Sequence, residues 1–141
     1  MIAVDTNVIV YAHREEMPQH VEAARLLRNL AEGDEPWALP VFVLGEFVRV
    51  VTHPRLFSPP STSDQAVGAL EALLGSPTVR LLEPRARFWP LLRDKVQDAR
   101  ATGNLVLDAE IVAVCRERGV STLLSNDLDF RRFPSLQLRT L

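Results

Sequence analysis

Four carboxylates stand in apolar company, where the surrounding pattern would place an apolar side chain or turn an acid outward: Asp5, Glu46, Asp108 and Asp127. Asp5 ends the run Ile2-Ala3-Val4 and is followed by Thr6 and Asn7. Glu46 is the only acid between Val41 and Val51. Asp108 interrupts Leu105-Val106-Leu107 and Ala109, and Asp127 follows closely on Leu123-Leu124-Ser125. Burying an ionised carboxylate without compensation costs several kcal/mol, on the order of what a domain's whole stability can bear. Basic partners are scarce: Arg49 lies one turn from Glu46, and nothing else basic is local. If the four acids converge, each pair about 4 Å apart repels by roughly 4 kcal/mol at an effective dielectric of 20. A divalent cation turns that repulsion into affinity, and all-oxygen ligands favour Mg²⁺ or Mn²⁺. Such a centre activates water against a phosphodiester and steadies the leaving oxygen.

Each acid also has a structural reading. Asp5, Thr6 or Asp108 could cap a helix, since these residue types favour N-caps. Asp127 could close an Asx-turn. Glu46 could pair with Arg49 on an exposed stripe, a reading that the neighbouring Val43, Phe47 and Val50 weaken. Asp129, beside Phe130, is a ligand or a structural cap, and the structural role is favoured. Glu110, two residues from Asp108, projects away from it on a helix into solvent. His13, His20 and His53 have no acid and serine partners at triad spacing. Trp37 and Trp89 suit core or rim packing better than base stacking. No glycine-rich phosphate loop is present.

The elements that must position these acids follow from the apolar pattern. Ile2–Val4 predicts a buried strand. Pro18 can open a helix carrying Val21, Ala24, Leu27 and Ala31 on one face, closed by Gly33. Trp37–Leu39 is a brief extended piece. Val41–Arg55 predicts a buried helix ended by Pro54, with a strand competing because Val and Phe dominate. Leu56–Ser63 is a surface loop, Asp64–Leu74 a helix and Val79–Leu82 a strand. Arg87–Ala101 is helical if Pro90 falls in the first turn, and Thr102-Gly103-Asn104 breaks it. Leu105–Leu107 leads into Asp108 at the mouth of a helix, Ala109–Arg118, stopped by Gly119. Thr122–Leu124 and Leu136–Leu138 supply the last strands. Helices alternating with short apolar strands predict a parallel α/β sheet covered on both faces. Asp5 and Asp127 then end strands, Asp108 begins a helix, and all three belong at the carboxyl edge, where open α/β sheets bind ligands.

Composition sets the bounds. The chain has 141 residues, 47% hydrophobic and 24% charged, which suits one soluble globular domain. A net charge of −2 announces no basic field. Lys95 is the only lysine, so the positive charge is nearly all Arg, a residue suited to phosphate contacts. Arg14, Arg49 and Arg131 are candidates to steer substrate phosphates. The lone Cys115 excludes an internal disulfide and a thiolate zinc site, and sits in an apolar run suited to the core. No apolar stretch reaches membrane-spanning length and the start lacks a basic leader, so a cytoplasmic protein without membrane association is expected.

Asp5-Thr6-Asn7 after the first strand, Glu46 in VFVLGEFVRVVTHPR, TGNLVLDAEIVA around Asp108, and SNDLDF ending in Phe130 together resemble the PIN domain family, and within it the VapC-type ribonuclease toxins of bacterial toxin–antitoxin pairs. The likeness spans nearly the whole chain in the family's order. It implies a Rossmann-like α/β/α sandwich over residues 1–141, a Mg²⁺- or Mn²⁺-dependent endoribonuclease acting on RNA, a homodimer, and neutralisation by a small VapB-like antitoxin that inserts near the acidic pocket. By position, Asp5, Glu46, Asp108 and Asp127 form the implied acidic quartet, with Thr6, Asn7 and Ser125 supporting it. Pro90 departs from the pattern, standing where the family continues a helix. Two other classes compete. A phosphatase with Asp5 as covalent nucleophile is opposed by Asn7, which stands where a second Asp is wanted. A non-catalytic RNA- or partner-binding module is opposed by the intact set of acids.

Overall fold

The computed structural model describes all residues, 1–141. Five parallel strands form one sheet: β1 (Ile2–Val4), β2 (Trp37–Pro40), β3 (Val79–Leu82), β4 (Thr122–Leu124) and β5 (Gln137–Arg139), in the spatial order β3-β2-β1-β4-β5. Six helices surround it: α1 (Thr6–His13), α2 (His20–Glu32), α3 (Phe42–Val51), α4 (Ser63–Leu74), α5 (Phe88–Ala99) and α6 (Leu105–Glu117). β1 pairs with β2 through Ile2–Trp37 and Ala3–Ala38, and with β4 through Ile2–Thr122, Ala3–Leu123 and Val4–Leu124. The chain therefore builds outward from β1 to one side, then crosses over and builds to the other. The strand order reverses between β1 and β4, and a crevice opens at the carboxyl ends of such strands.

Periodicity decides the segment that follows β2. Val43, Phe47 and Val51 are fully buried, at i, i+4 and i+8, so a helical face outweighs the strand propensity of Val and Phe. Gly45 lies on the outer face, where its cost to the helix is bearable. Ala3, Val4, Trp37, Leu39 and Leu123 from the sheet meet Val8, Phe47, Val112 and Val114 from the helices in one continuous core. Cys115 belongs to that core, as its apolar neighbours predict. No helix is long and apolar enough to cross a membrane.

Several boundaries differ from the pattern-based reading. Pro18 does not open α2: the helix starts at His20, and Pro18 sits in the preceding turn. Its inward residues are Ala23 and Leu27, while Val21 is 79% exposed. α4 starts one residue early because Thr62 and Gln65 form a capping box, Gln65 N–H to Thr62 Oγ1 at 3.1 Å and Thr62 N–H to Gln65 Oε1 at 2.9 Å. Pro90 is the third residue of α5, inside the first turn, where its missing N–H costs nothing. α5 stops at Arg100, which adopts the left-handed conformation (φ 49°) ahead of the expected Thr-Gly-Asn break. α6 begins at Leu105, three residues before Asp108. The apolar Leu105–Leu107 is thus the helix's first turn, with Leu107 40% exposed.

Candidate metal centre

Asp5 is the first residue after β1 and only 6% exposed. It occupies the N-cap position of α1, yet its carboxylate makes no capping bond. Its Oδ2 instead accepts from Ser125 Oγ at 2.6 Å and from Asn7 Nδ2 at 3.0 Å. Ser125 is the residue after β4, so these bonds tie the two strand ends at the reversal point. The same hydroxyl accepts from Asn7 Nδ2 at 3.0 Å and from the Asp127 backbone N–H at 3.0 Å. Asn7 Oδ1 accepts the Asn126 N–H at 3.4 Å.

Glu46 reaches the same place from α3. Thr6 Oγ1 donates to its Oε2 at 2.9 Å, and Arg49 Nη2 stands 3.8 Å from its Oε1. Glu46 flanks the buried stripe of α3 rather than joining it, with 30% of its side chain exposed. Asp108 projects from the first turn of α6, where a helix N-terminus favours negative charge. Asp127 does close the local turn: its Oδ1 accepts the Asp129 N–H at 2.9 Å and caps a short 3₁₀ helix, Leu128–Arg132.

The four predicted acids line one cavity of ≈ 420 Å³, together with Thr6 and Asn7. A smaller cavity of ≈ 280 Å³ adjoins it and shares Glu46, Asp108 and Asp127. Asp129 lines this second space, and one carboxylate oxygen each from Asp108, Asp127 and Asp129 lie within 4.8 Å of one another. Asp129 is therefore a member of the acidic group, against the structural role favoured for it. Its own backbone N–H is what Asp127 caps, and the resulting turn carries both carboxylates together. The Asp-x-Asp spacing ahead of Phe130 is the only trace of this in the sequence.

Electrostatics follow from the crowding. Burial, opposed by the Ser125 bond and reinforced by the charges of Glu46 and Asp127, pushes Asp5 up to about 6. Burial and the charges of Asp127, Asp5, Asp129 and Glu46 push Asp108 up to about 7. Carboxylates held this far above their ordinary range mark a site short of positive charge. The charged groups gathered here are all carboxylates, with no histidine or thiol among the lining residues, a set that fits a hard divalent cation.

Other candidates fall elsewhere. Glu110 is half-buried rather than fully solvated, and burial raises its pKa; it lines a small cavity that also holds Glu46, Arg49 and Leu107, and it is absent from the cavity that the four acids share. Arg14 is committed to the protein: it bonds Glu16 at 2.6 Å, Ser61 Oγ at 3.1 Å and Pro59 O at 2.8 Å. It is absent from the acidic cavity and is not available to steer phosphates there. Arg49 borders the acids, and Arg131 is exposed on the 3₁₀ helix beside Asp129. His13 shares a hydrogen bond with Ser61 and packs edge-on against Phe47, and His20 bonds Tyr11 O. Trp37 is core, whereas Trp89 is 63% exposed.

The profile of the PIN domain family matches residues 2–136. The chain is 42% identical over 139 residues to the VapC ribonuclease Mb2897 of Mycobacterium bovis, covering 99% of this chain and 94% of that one. Among solved structures, VapBC2 from Rickettsia felis bound to a promoter DNA fragment superposes with a TM-score of 0.69 at 23% identity, covering 99% of this chain and 98% of that one. VapC20 of Mycobacterium tuberculosis, a Sarcin-Ricin loop cleaving toxin, superposes with a TM-score of 0.68 at 23% identity over 93% of each chain. The parallel α/β fold built around β1 is what this chain shares with these solved structures. The chain belongs to the PIN domain family and, within it, to the VapC ribonucleases.

Proposed function

We propose that the protein is a Mg²⁺- or Mn²⁺-dependent endoribonuclease, the toxin of a VapBC-type pair, with residues 1–141 working as one domain. One observation carries the reading. Acids from four separate elements share one cavity, and two of them are held at about 6 and about 7 by burial and mutual repulsion. A fold does not collect that much negative charge for its own stability. The relatives support the chemistry: one is named a VapC ribonuclease and another a loop-cleaving toxin. The Rickettsia neighbour, a VapBC assembly, supports a VapB-like antitoxin as partner. A homodimer remains part of the proposal, implied by the family resemblance.

Asp5, Glu46, Asp108 and Asp127 would hold the cation. A bound divalent ion supplies two things here, neutralisation of the acids and a lowered pKa for coordinated water. The chain's own residues set the stage. Ser125 and Asn7 fix the Asp5 carboxylate, and Thr6 fixes Glu46. Ser125 is not a nucleophile: its hydroxyl donates to Asp5 and accepts two N–H groups. A covalent role for Asp5 is likewise disfavoured, because the neighbour at its side is the amide of Asn7, which cannot act as a general acid.

A mixed RNA pool tests the reading. Cleavage should require Mg²⁺ or Mn²⁺ and stop with a chelator. Asp5→Asn should slow it by about 100-fold or more, the equivalent of ~2.7 kcal/mol in the barrier. Cleavage that survives chelation, or that the variant leaves undiminished, would overturn the assignment.

A further inference from the structure

Half of the residues that line the acidic cavity are apolar or aromatic: Val10, Tyr11, Met17, Val50, Leu56 and Phe57. Val10 and Tyr11 lie one turn beyond Thr6 and Asn7 on α1, and Val50 lies one turn beyond Glu46 on α3, so the apolar wall continues the polar one along both helices. A cleft that handled only cations and phosphate oxygens would have no use for such a wall. Six waters at about 30 Å³ each, a full first shell for a hard cation, fill about 180 Å³. The cavity holds ≈ 420 Å³, so more than half of it is left for something else.

The apolar end is built, not left over. Leu56 is 56% exposed and lines the cavity with Phe57. The Phe57 ring is clamped by the Arg14 guanidinium, whose carbon lies 4.5 Å from the ring centroid. Arg14 does not line the cavity, so it presses on Phe57 from outside. Arg14 is itself pinned to Pro59 O and Ser61 Oγ, and Ser61 is held a second time by His13 Nε2 at 2.9 Å. An aromatic ring held by a cation–π contact thus lines the cavity that the acids share. The two ends are close: burial and the charges of Asp5 and Asp127 together raise the Tyr11 phenol above its ordinary value.

We propose that this apolar end binds one unstacked base of the RNA, that of a nucleotide beside the scissile phosphate, stacked on Phe57 and flanked by Leu56 and Tyr11. The inference rests on the ribonuclease reading and adds a requirement to it. A base can enter only if it leaves its stack and its pair. Tyr11 is the only wall residue whose side chain carries a hydrogen-bonding group, so the wall selects for a stacking surface more than for a base edge. Continuity with the acids favours a nucleotide over a peptide, since a nucleotide's phosphate and base would occupy the two ends at once.

The test uses an oligoribonucleotide that the wild-type protein cuts at one bond. Each nucleotide flanking the cut is replaced in turn by an abasic residue. At one position, loss of the base should lower kcat/KM about 5- to 150-fold, the value of one base–aromatic stack. In Phe57→Ala the same replacement should cost little or nothing, and in Leu56→Ala, whose side chain is 56% exposed, it should cost less than in the wild type. A merely damaged fold would slow both substrates alike and keep the abasic penalty. Equal penalties in wild type and both variants, or no penalty at any position, overturns the inference and leaves the ribonuclease reading intact. Variants that weaken an antitoxin-derived peptide but keep the penalty assign the wall to the peptide instead. If the wild type cuts no RNA with any divalent ion, the ribonuclease reading falls and takes this inference with it.

Discussion

Ser125 Oγ donates to Asp5 Oδ2 at 2.6 Å across 120 residues of sequence. The bond joins the residue after β4 to the residue after β1, where the sheet order reverses. Both residues are buried, so the carboxylate has almost no water to turn to. Ser125 is the largest influence holding Asp5 down against the burial that raises it.

Ser125→Ala should therefore move Asp5 further above about 6 and shift the acid limb of the cleavage pH profile upward. It should also cost about 1–3 kcal/mol, because the Asn7 amide and the Asp127 N–H lose an acceptor. Ser125→Thr restores the hydroxyl and should restore the profile. An unchanged acid limb in Ser125→Ala would show that the bond does not set the titration of Asp5.

The acids make the metal-free protein pH-sensitive, and the sign can be worked out. Asp5 lies at about 6 and Asp108 at about 7 when folded, against 3.8 for the ordinary group. Between those values the folded chain holds more protons than the unfolded one, so stability falls as pH rises. The contribution is whole below about pH 4 and lost by about pH 7, and for Asp5 it is on the order of 3 kcal/mol. In chelator at pH 7.5, Asp5→Asn should thus melt above the wild type, with the gap closing near pH 4. Mg²⁺ or Mn²⁺ at 100 times its Kd should add about 2.7 kcal/mol to the wild type and much less to the variant. A variant no more stable than wild type at pH 7.5 in chelator would mean that the acids are not strained.

Much of this site was legible because a parallel sheet sends its strand ends and its helix starts to one edge. Asp5 and Asp127 could be placed there from three-residue apolar runs alone. Asp108 reached the right edge even though α6 was read as starting too late, since either start lies on that side. Asp129 was not legible: an exposed acid on a turn resembles any solvated one, and only the cap made by Asp127 brings it inward. Arg14 was misjudged because its partners, Pro59 and Ser61, lie 45 and 47 residues away. Of the face expected for α2, Leu27 is buried and Ala24 and Ala31 are half-buried, whereas Val21 points outward and Ala23 takes the inward place one helical turn before Leu27.

Glu46 is held by two unequal contacts. Arg49 approaches at 3.8 Å with 61% of its side chain exposed, so water and salt screen the pair. Arg49→Ala should change stability by less than about 1 kcal/mol. Thr6 is buried and donates directly to the carboxylate at 2.9 Å. Thr6→Val keeps the shape, removes the donor, and should cost about 1.5–3 kcal/mol, the range for a bond to a charged group. Urea midpoints of the two variants decide the order, and a larger loss for Arg49→Ala would reverse this account of Glu46.

Cys115 gives a reporter for the whole centre. The thiol is fully buried in α6, and burial together with the charge of Asp5 pushes its pKa up to about 12. The thiolate is the reactive form, so at pH 8 the folded protein should resist iodoacetamide while the unfolded chain reacts as a free thiol does. Labelling then tracks the open population when opening and closing are fast. A cation that binds only the folded state lowers that population by the same factor by which it stabilises. At 100 times its Kd, Mn²⁺ should slow labelling about 100-fold in wild type and much less in Asp5→Asn. Labelling of the folded protein at the rate of a free thiol would contradict the burial of Cys115. A cation that slowed both proteins equally would place its binding away from Asp5.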